Sequence, residues 1–328
     1  MSAQRYRVGD LLVDRYLVLE SFAGSMGLAY LVEDMARETG DTTPSRMIAK
    51  TFRPDLAATT LNQRFLKEAS IWINLSPGQN VVQAYRVDTI GETPFVFAEY
   101  IEPGVLPNSL ETWIHHRIVC VEVALHIAVQ LLDGMWYVYQ DGVEVHGDLK
   151  PSNILLNEDL VVKINDWGFA CSTSTAATTE DAEAYVRYHG TSSYLAPEAR
   201  LGTQSVISRA LDGYALGVLL GEMITGRRFG PGTTKEDVRV ALEPACIGLS
   251  ETLVEVLSNV VAGLLTINWR DRRNYYEVFG SDLVAVYKEA TQLNVIDDSD
   301  AIIIRPLPKG HAERMKQSKS VLERLWKR

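Results

Sequence analysis

The sequence predicts an α+β fold of two lobes, in which a small antiparallel β-sheet lobe with one helix precedes a larger, mainly α-helical lobe. Three observations lead to this expectation. The chain has 328 residues, of which 46% are apolar, enough for about two domains. Its first hundred residues contain short apolar runs typical of strands. From Ser109 onward, apolar residues recur at the spacing typical of helices.

The first lobe is predicted to consist mainly of strands. Residues 23–27 include two glycines and separate two apolar runs, so they predict the turn of a hairpin. Leu61, Phe65, Ala69 and Trp72 follow at spacings of four, four and three, which predicts an amphipathic helix within Thr60–Leu75. The predicted strands are Tyr16–Glu20, Leu28–Glu33, Arg46–Phe52, Val81–Asp88 and Pro94–Ile101.

The second lobe is predicted to be mainly helical. Val121–Tyr139 and Leu211–Ile224 are long and apolar enough to form buried helices. Between them, Ile154–Leu156 and Val161–Ile164 predict a short pair of strands. The Ser-, Thr- and Ala-rich segment Cys171–Glu183 predicts a mobile loop.

Charge, apolar runs and cysteine spacing argue against several classes of protein. The net charge of −10 argues against nucleic-acid binding by the chain as a whole. No run reaches about 18 uninterrupted apolar residues and the first ten residues lack the apolar core of a secretion signal, so we expect neither a transmembrane nor a secreted protein. Cys120, Cys171 and Cys246 form no C-x-x-C pair, which favours a reducing compartment and hence the cytoplasm.

The strongest chemical signal is the segment from His146 to Asn153, which reads H-G-D-L-K-P-S-N and is followed by D-W-G from Asp166. Two carboxylates, a lysine and an asparagine at this spacing suit phosphoryl transfer, which needs positioning and neutralisation of negative charge. Asp148 is suited to accept a hydroxyl proton and Lys150 to offset phosphate charge. Asn153 and Asp166 are suited to hold hard cations through oxygen ligands.

This segment resembles the protein kinase superfamily, whose pattern is H-R-D-L-x-x-x-N followed by D-F-G. Met47-Ile48-Ala49-Lys50 resembles the V-A-I-K strand, and the segment from Gly190 to Glu198 resembles the end of an activation segment that closes on A-P-E. The resemblance covers roughly residues 14–288. The opening residues are similar to those of bacterial Ser/Thr protein kinases of the eukaryotic-like (Hanks) type. The resemblance implies a bilobal protein kinase fold with Mg-ATP between the lobes.

The resemblance also implies which residues bind the nucleotide. Lys50 would contact the α- and β-phosphates, and Glu68 would orient Lys50. Gly24 and Gly27 are two of the three glycines of the family's phosphate-covering loop. The residues implied around the adenine are Ala29 and Ile48 above the ring, Leu155 below it, the backbone carbonyl of Glu99 and the backbone amide of Ile101.

Catalytic and metal-binding residues follow from the same resemblance. Asp148 would receive the proton of the acceptor hydroxyl, and Asn153 and Asp166 would hold Mg²⁺, or Mn²⁺ in its place. Lys150 and Thr191 resemble the version of these motifs found in enzymes that act on Ser and Thr of proteins. The implied reaction is therefore transfer of the γ-phosphoryl group of ATP to a protein hydroxyl.

Three further residues are implied to be architectural. The family places an aspartate, here Asp212, on a buried helix where it holds the catalytic loop by hydrogen bonds. It also places an arginine, here Arg272, where it pairs with the glutamate of A-P-E, here Glu198.

Three positions depart from the family pattern. Gly147 replaces the arginine that normally binds a phosphorylated activation segment, so we expect activity without phosphorylation of residues 172–179. Trp167 replaces the Phe of D-F-G, and either packs in the core or forms a column of rings with His146 and Trp72. Phe22 replaces a residue at the adenine end of the glycine-rich loop. These departures keep open two alternatives, a pseudokinase acting as scaffold or allosteric switch and a small-molecule kinase.

The predicted domain division is an N-terminal extension at 1–13, the ATP-binding lobe at 14–100, the catalytic lobe at 101–288 and a basic tail at 289–328. Residues 305–328 carry eight Lys and Arg against two Glu. The tail is expected to be a helix docked on the larger lobe or a solvated segment. The alternative is that it docks on an acidic membrane surface or a protein partner.

Overall fold

The computed structural model divides the chain into two compact units. The first comprises residues 1–78 and 82–101, and the second residues 79–81 and 102–328. The residues whose structure is described are 5–23, 27–37, 40, 43–52, 66, 69–91, 93–167, 170–172, 193–200, 208–272, 274–291, 297–298 and 301–302. Of the predicted basic tail at 289–328, residues 289–291, 297–298 and 301–302 are described, whereas its basic segment 305–328 lies outside the described residues.

The first unit is built on a six-stranded sheet in the order β1-β2-β3-β4-β6-β5, with every neighbouring pair antiparallel. The five predicted strands are all present, and Arg46–Phe52 has the predicted bounds. The strands are β1 (Leu11–Leu12), β2 (Tyr16–Ala23), β3 (Gly27–Asp34), β4 (Arg46–Phe52), β5 (Ala84–Ile90) and β6 (Thr93–Glu99).

The two faces of this sheet carry different side chains, because successive residues of a strand point to opposite faces. One face is covered by a buried aromatic cluster that includes Tyr16, Tyr30, Phe95 and Phe97. The opposite face, here called the Lys50 face, carries Ala29, Ile48, Lys50, Val96 and Ala98, which the strand register places in adjacent positions.

Strand β1 is an element that the sequence did not predict. Leu11 and Leu12 pair with Leu17 and Tyr16 of β2, so part of the predicted N-terminal extension belongs to the sheet. The connecting residues Val13 and Asp14 both have positive φ, of 48° and 53°, the conformation of a tight hairpin turn. A strand of two residues has too short an apolar pattern to be recognised without its partner.

The segment before β1 also packs on the sheet. The Tyr6 ring meets the Tyr30 ring edge to face, with centroids 5.9 Å apart, and lies 6.4 Å from the Phe95 ring. Residues 5–12 thus extend both the hydrogen bonding and the aromatic cluster of the first unit.

The first unit also contains a helix, whose described residues 66 and 69–74 fall within the predicted Thr60–Leu75. We call residues 69–74 α1. Its Trp72 is 5% exposed, and the indole Nε1 donates a hydrogen bond to the carbonyl of Val82, at 2.8 Å. This bond attaches the helix to the segment that precedes β5.

The second unit is mainly helical, as predicted. The two predicted buried helices are present as α3 and α5, and every residue of α5 except the last is buried. Among the described residues, the helices are α2 (Leu110–His115), α3 (Val121–Gln140), α4 (Pro197–Arg200), α5 (Ala210–Thr225), α6 (Lys235–Leu242), α7 (Glu251–Leu264), α8 (Trp269–Arg272) and α9 (Tyr275–Thr291).

Among the described residues, α3 is the one helix long and apolar enough to pass a length-and-composition test for a membrane span. Its most apolar 18-residue window is 72% buried inside the protein, which is typical of a core helix.

Short antiparallel strand pairs complete the second unit. They are β7 (Val143–Val145) with β10 (Cys171–Ser172), β8 (Ile154–Leu156) with β9 (Val162–Ile164), and β11 (Asp297–Asp298) with β12 (Ala301–Ile302). The prediction that the loop begins at Cys171 is wrong, because Cys171 and Ser172 pair with β7. Strand β7 lies more than 25 residues earlier in the chain, so a local pattern does not reveal this pairing.

A buried polar network joins α3 to α9 and to the β8–β9 hairpin. Gln130 donates to Nε2 of His126, at 2.8 Å, and Nδ1 of His126 donates to the hydroxyl of Tyr287, at 2.9 Å. Gln130 also donates to the carbonyl of Leu160 and accepts from the amide of Asn80. His126 is thereby held neutral, and burial lowers its pKa to about 4.

Candidate active site

One buried carboxylate organises the loop that begins at His146. Asp212, on α5, is 1% exposed and accepts hydrogen bonds from the backbone amides of His146 and Gly147, at 2.8 and 2.9 Å. It also accepts from the hydroxyl of Tyr139, at 2.8 Å. Burial raises the pKa of Asp212, and these three donors oppose the rise by stabilising the carboxylate. The expectation that Asp212 holds this loop is confirmed.

Gly147 has a φ of +81°, in the left-handed region. Glycine adopts this conformation without the strain that a side chain would bring. The backbone conformation in which the Gly147 amide donates to Asp212 is therefore one that suits glycine.

His146 is a buried, hydrogen-bonded core residue. The backbone amide of Asp148 donates to its Nδ1, at 3.2 Å, so the ring proton lies on Nε2, which donates to the carbonyl of Asn165, at 3.1 Å. Burial lowers the pKa of His146, which favours this neutral form. The ring packs edge to face on Trp167, with centroids 4.5 Å apart. Trp167 is fully buried, and its Nε1 has no hydrogen-bond partner among the residues the structure describes.

The side chains of Asp148, Lys150 and Asn153 meet at one carboxylate oxygen. Lys150 Nζ lies 2.7 Å from Oδ2 of Asp148, and Asn153 Nδ2 donates to the same atom at 3.0 Å. Asn153 Nδ2 also donates to the backbone carbonyl of Asp148, at 2.8 Å, and Asn153 lies in a single 3₁₀ turn, Pro151–Asn153. The Asp148 side chain is 3% exposed and that of Lys150 is 29% exposed, so the ammonium group lies on the solvent side of the pair.

Asn153 and Asp166 lie at the same end of the β8–β9 hairpin. The amide of Asn165 donates to the carbonyl of Asn153, at 2.9 Å, one step beyond the Ile154–Ile164 pair. Asp166 then turns away from the strand with a φ of +64°.

The donor atoms at this end of the hairpin fit a hard divalent cation. Because Nδ2 of Asn153 is engaged with Asp148, its amide oxygen is the atom suited to a cation, and Asp166 supplies a carboxylate. Within the described part of the chain no three His, Cys, Asp or Glu side chains form a metal-binding group. A Mg²⁺ site formed by one or two side chains together with phosphate oxygens is of the kind these residues can complete.

Lys50 lies on β4 in the first unit, between two apolar neighbours. It pairs with Ala29 of β3 and with Val96 of β6, and Ile48 lies two residues earlier on the same face. The Lys50 ammonium nitrogen lies 6.0 Å from the ring centroid of Trp72. The register thus brings the predicted residues Ala29, Ile48 and Lys50 together on one face.

Gly27 begins β3 at a place where a side chain does not fit. A Cβ atom there would lie 2.8 Å from the backbone carbonyl oxygen of Thr51, the residue after Lys50. The close approach of β3 and β4 beside Lys50 therefore requires glycine at this position.

The other residues predicted at the adenine lie at the end of β6 and on β8. The backbone amide of Glu99 donates to the carbonyl of Gln83, at 2.7 Å, and its carboxylate accepts from the Gln83 amide, at 3.1 Å. Ile101 is 4% exposed, and Leu155 is half-buried on β8 in the second unit. Three further predicted site residues, Gly24, Glu68 and Thr191, lie outside the described residues.

The predicted ion pair between Glu198 and Arg272 is confirmed. Arg272 is fully buried and donates through one guanidinium nitrogen to both carboxylate oxygens of Glu198, including Oε2 at 2.6 Å. Its remaining nitrogens donate to the carbonyls of Ala210 and Thr266. Since Ala210 begins α5, this pair anchors the A-P-E segment to the helix that carries Asp212.

The sequence did not predict the two tyrosines that support Asp212. Tyr139 at the end of α3 donates to Asp212, and the Tyr275 hydroxyl lies 2.9 Å from that of Tyr139. A tyrosine within or beside an apolar helix normally indicates core packing, so the sequence carries no signal for this relay.

Comparison with known proteins agrees with this geometry. The family profile described as "Protein kinase domain" matches residues 24–279. "Probable serine/threonine-protein kinase PknB" of Lactococcus lactis is 26% identical over 82% of this chain and 41% of the relative. "Serine/threonine-protein kinase PknD" of Chlamydia trachomatis is 30% identical over 76% of this chain and 29% of the relative.

A serine/threonine-protein kinase of Clostridium perfringens, also named as probable, is 29% identical over 67% of this chain and 30% of the relative. The chain thus matches between 29% and 41% of the length of these three relatives. They bear out the predicted resemblance to bacterial kinases of the eukaryotic-like type. With a matching profile over most of its length, a first unit whose described residues form a six-stranded sheet and a helix, and a mainly helical second unit, the chain belongs to the protein kinase family.

Proposed function

We propose that the protein transfers the γ-phosphoryl group of Mg-ATP to Ser or Thr hydroxyls of proteins. The observation that carries this proposal is the cluster at Asp148, where Lys150 and Asn153 meet one oxygen of a buried carboxylate. Phosphoryl transfer needs a group to receive the hydroxyl proton beside cations that offset phosphate charge. This cluster offers both within hydrogen-bond distance.

Each residue of the cluster has a proposed part in the reaction. Asp148 orients the acceptor hydroxyl and receives its proton at the carboxylate. Lys150, paired with Asp148 before substrate binds, offsets charge on the transferred group. Asn153 holds Asp148 through its Nδ2 and, together with Asp166, provides oxygen ligands for Mg²⁺ or Mn²⁺. The bound cation supplies neutralisation of the phosphate oxygens.

Residues of the Lys50 face are proposed to bind the nucleotide. Lys50 would contact the α- and β-phosphates, and Gly27, with Gly24, would allow the backbone to approach them. Ala29, Ile48 and Leu155 are apolar and suited to contact adenine, with the backbone of Glu99 and Ile101 as its hydrogen-bonding partners. Glu68 and Thr191 keep their proposed roles of orienting Lys50 and marking a Ser/Thr-type activation segment.

The choice of protein Ser and Thr as acceptors is supported by the names of the relatives, which are serine/threonine-protein kinases. Lys150, two residues after Asp148, agrees with that choice.

The test is transfer of radiolabelled γ-phosphate from Mg-ATP to a panel of proteins, by the parent and by Asp148→Asn. Because general-base catalysis contributes about 10²- to 10⁴-fold, we expect the variant to lose at least 10²-fold in kcat. Retained nucleotide binding without transfer by the parent would support a pseudokinase scaffold instead. Transfer to alcohols or aminoglycosides but not to proteins would support a small-molecule kinase.

We also propose that activity does not depend on phosphorylation of the 172–179 segment. Gly147 has no side chain to bind a phosphate, and its left-handed backbone is already bonded to Asp212. Phosphatase-treated protein, with phosphate removal verified by mass spectrometry, is expected to keep the activity of untreated protein within about two-fold, since charge-assisted contacts at this position are missing. Loss of activity on phosphatase treatment would overturn this proposal.

A further inference from the structure

Trp72 is held rigidly within the first unit. Its ring is 5% exposed, and the bond from Nε1 to the Val82 carbonyl, at 2.8 Å, fixes one edge of the indole. The face of the ring lies toward Lys50, with the ammonium nitrogen 6.0 Å from the ring centroid. This distance is at the outer limit of about 6 Å at which an ammonium group is attracted to an aromatic face.

The side chains beside Lys50 on the sheet favour a contact between its ammonium group and an aromatic face. Its neighbours on the Lys50 face are Ala29, Ile48 and Val96, all apolar. The attraction of an aromatic face to a cation increases as water is removed, and none of these three neighbours carries a polar side chain. A leucine in place of Trp72 would fill space but would offer no negative face.

We propose that Trp72 is a positioning residue for Lys50. Its indole face holds the ammonium group in place for the nucleotide phosphates, and its bond to Val82 keeps that face fixed. Because Trp72 belongs to α1, the position of the helix and the position of the lysine are linked. The part of this proposal that concerns phosphates rests on the proposed function, whereas the contact between the ring and the ammonium group does not.

The first experiment measures how fast Lys50 is acetylated by a pulse of acetic anhydride, quantified by mass spectrometry of the Lys50 peptide between pH 7 and 10. Only the neutral amine reacts, so a lysine that loses a contact favouring its charged form reacts faster at a given pH. Trp72→Leu is expected to react about 3- to 10-fold faster and to displace the rate profile to lower pH. Trp72→Phe, which keeps an aromatic face but loses the bond to the Val82 carbonyl, is expected to react at a rate between those of the parent and Trp72→Leu.

A matched control separates this effect from general loosening. Trp113 is also buried, at 2% exposed, and its Nε1 also donates to a backbone carbonyl, that of Pro107, but it lies in the second unit. Trp113→Leu should leave the Lys50 rate unchanged. Equal rates in the Leu and Phe variants of Trp72 would overturn the proposal. So would an excess rate in Trp72→Leu that does not shrink as the pH approaches 10, where a larger fraction of the amine is neutral in every variant. If Trp72→Leu does not fold, Trp72→Met provides the same comparison with Trp72→Phe.

The second experiment measures the KM for ATP. Trp72→Leu is expected to raise it about 3- to 10-fold, and Trp72→Phe to restore most of the loss. If the parent transfers no phosphate, the proposed function fails while the acetylation result still decides the role of Trp72. If the parent is active and the acetylation rates of the Leu and Phe variants agree, the role of Trp72 fails alone.

Discussion

The loop at Asp148 and the Lys50 face hold their reactive groups by different means. The loop is attached to one buried carboxylate, Asp212, which accepts from two backbone amides and a tyrosine hydroxyl. Lys50 is instead positioned by strand register between apolar neighbours. Damage to the loop should therefore be concentrated at a single residue, whereas damage to the Lys50 face should come from changes that shift the strands or remove the Trp72 ring.

The largest expected effect is at Asp212. Asp212→Ala leaves the amides of His146 and Gly147 and the hydroxyl of Tyr139 buried without their acceptor. Each unsatisfied group costs about 1–3 kcal/mol, so we expect the free energy of unfolding to fall by about 4 kcal/mol. Because small displacements of reacting groups cost about 10²-fold, kcat should fall at least that much. Urea unfolding and phosphotransfer assays measure the two effects.

Tyr139→Phe provides the graded control, since it removes one of the three donors and should cost about 1 kcal/mol. If Asp212→Ala were no more harmful than Tyr139→Phe, Asp212 would not be the organising residue of the loop.

The next effect concerns pH and the polar network at His126. The pKa of His126 is about 4 in the folded protein, below the value of 6.5 for an unperturbed histidine. The unfolded state therefore binds more protons between these pH values, so stability is full above pH 6.5 and falls as the pH decreases towards 4. The expected loss is about 3 kcal/mol by pH 4, and the lowered pKa of His146 adds to it in the same direction.

Urea unfolding of His126→Gln across this pH range tests the assignment, since glutamine does not titrate. The slope of unfolding free energy against pH should become shallower, whatever the variant's stability at neutral pH. His115→Gln, at an exposed position on α2, should keep the parent's slope. An unchanged slope in His126→Gln would assign the acid sensitivity to other groups.

The smallest expected effect concerns the close approach of the β3 and β4 backbones beside Lys50. Gly27→Ala places a Cβ atom 2.8 Å from the Thr51 carbonyl oxygen, so β3 must move away from β4. Such overpacking costs about 1–3 kcal/mol, and the shift beside Lys50 should also weaken ATP binding, measured by calorimetry. Gly230→Ala is the matched control, because a Cβ there meets nothing within 4 Å. Equal stability and ATP affinity in the two variants would show that Lys50 does not depend on this approach.

The parts of the molecule that the sequence predicted are those determined by local patterns. Arg46–Phe52 and α3 show clear strand and helix spacing, and the residues around Asp148 form a dense motif. The pairing of β7 with β10, the relay from Tyr275 to Asp212 and the contact of Lys50 with Trp72 each join residues distant in sequence. The spacing of residue types along the sequence does not indicate which distant side chain completes such a contact.

The N-terminal strand bears on where this protein can be divided. The family profile starts at residue 24, after β1 and β2 have ended. A fragment cut at that boundary would lose two of the six strands together with Tyr6 and would turn β3 into an exposed edge. Unprotected edges are sites of aggregation. A fragment that keeps the whole sheet and the Tyr6 contact must therefore begin no later than Tyr6, 18 residues before the profile starts.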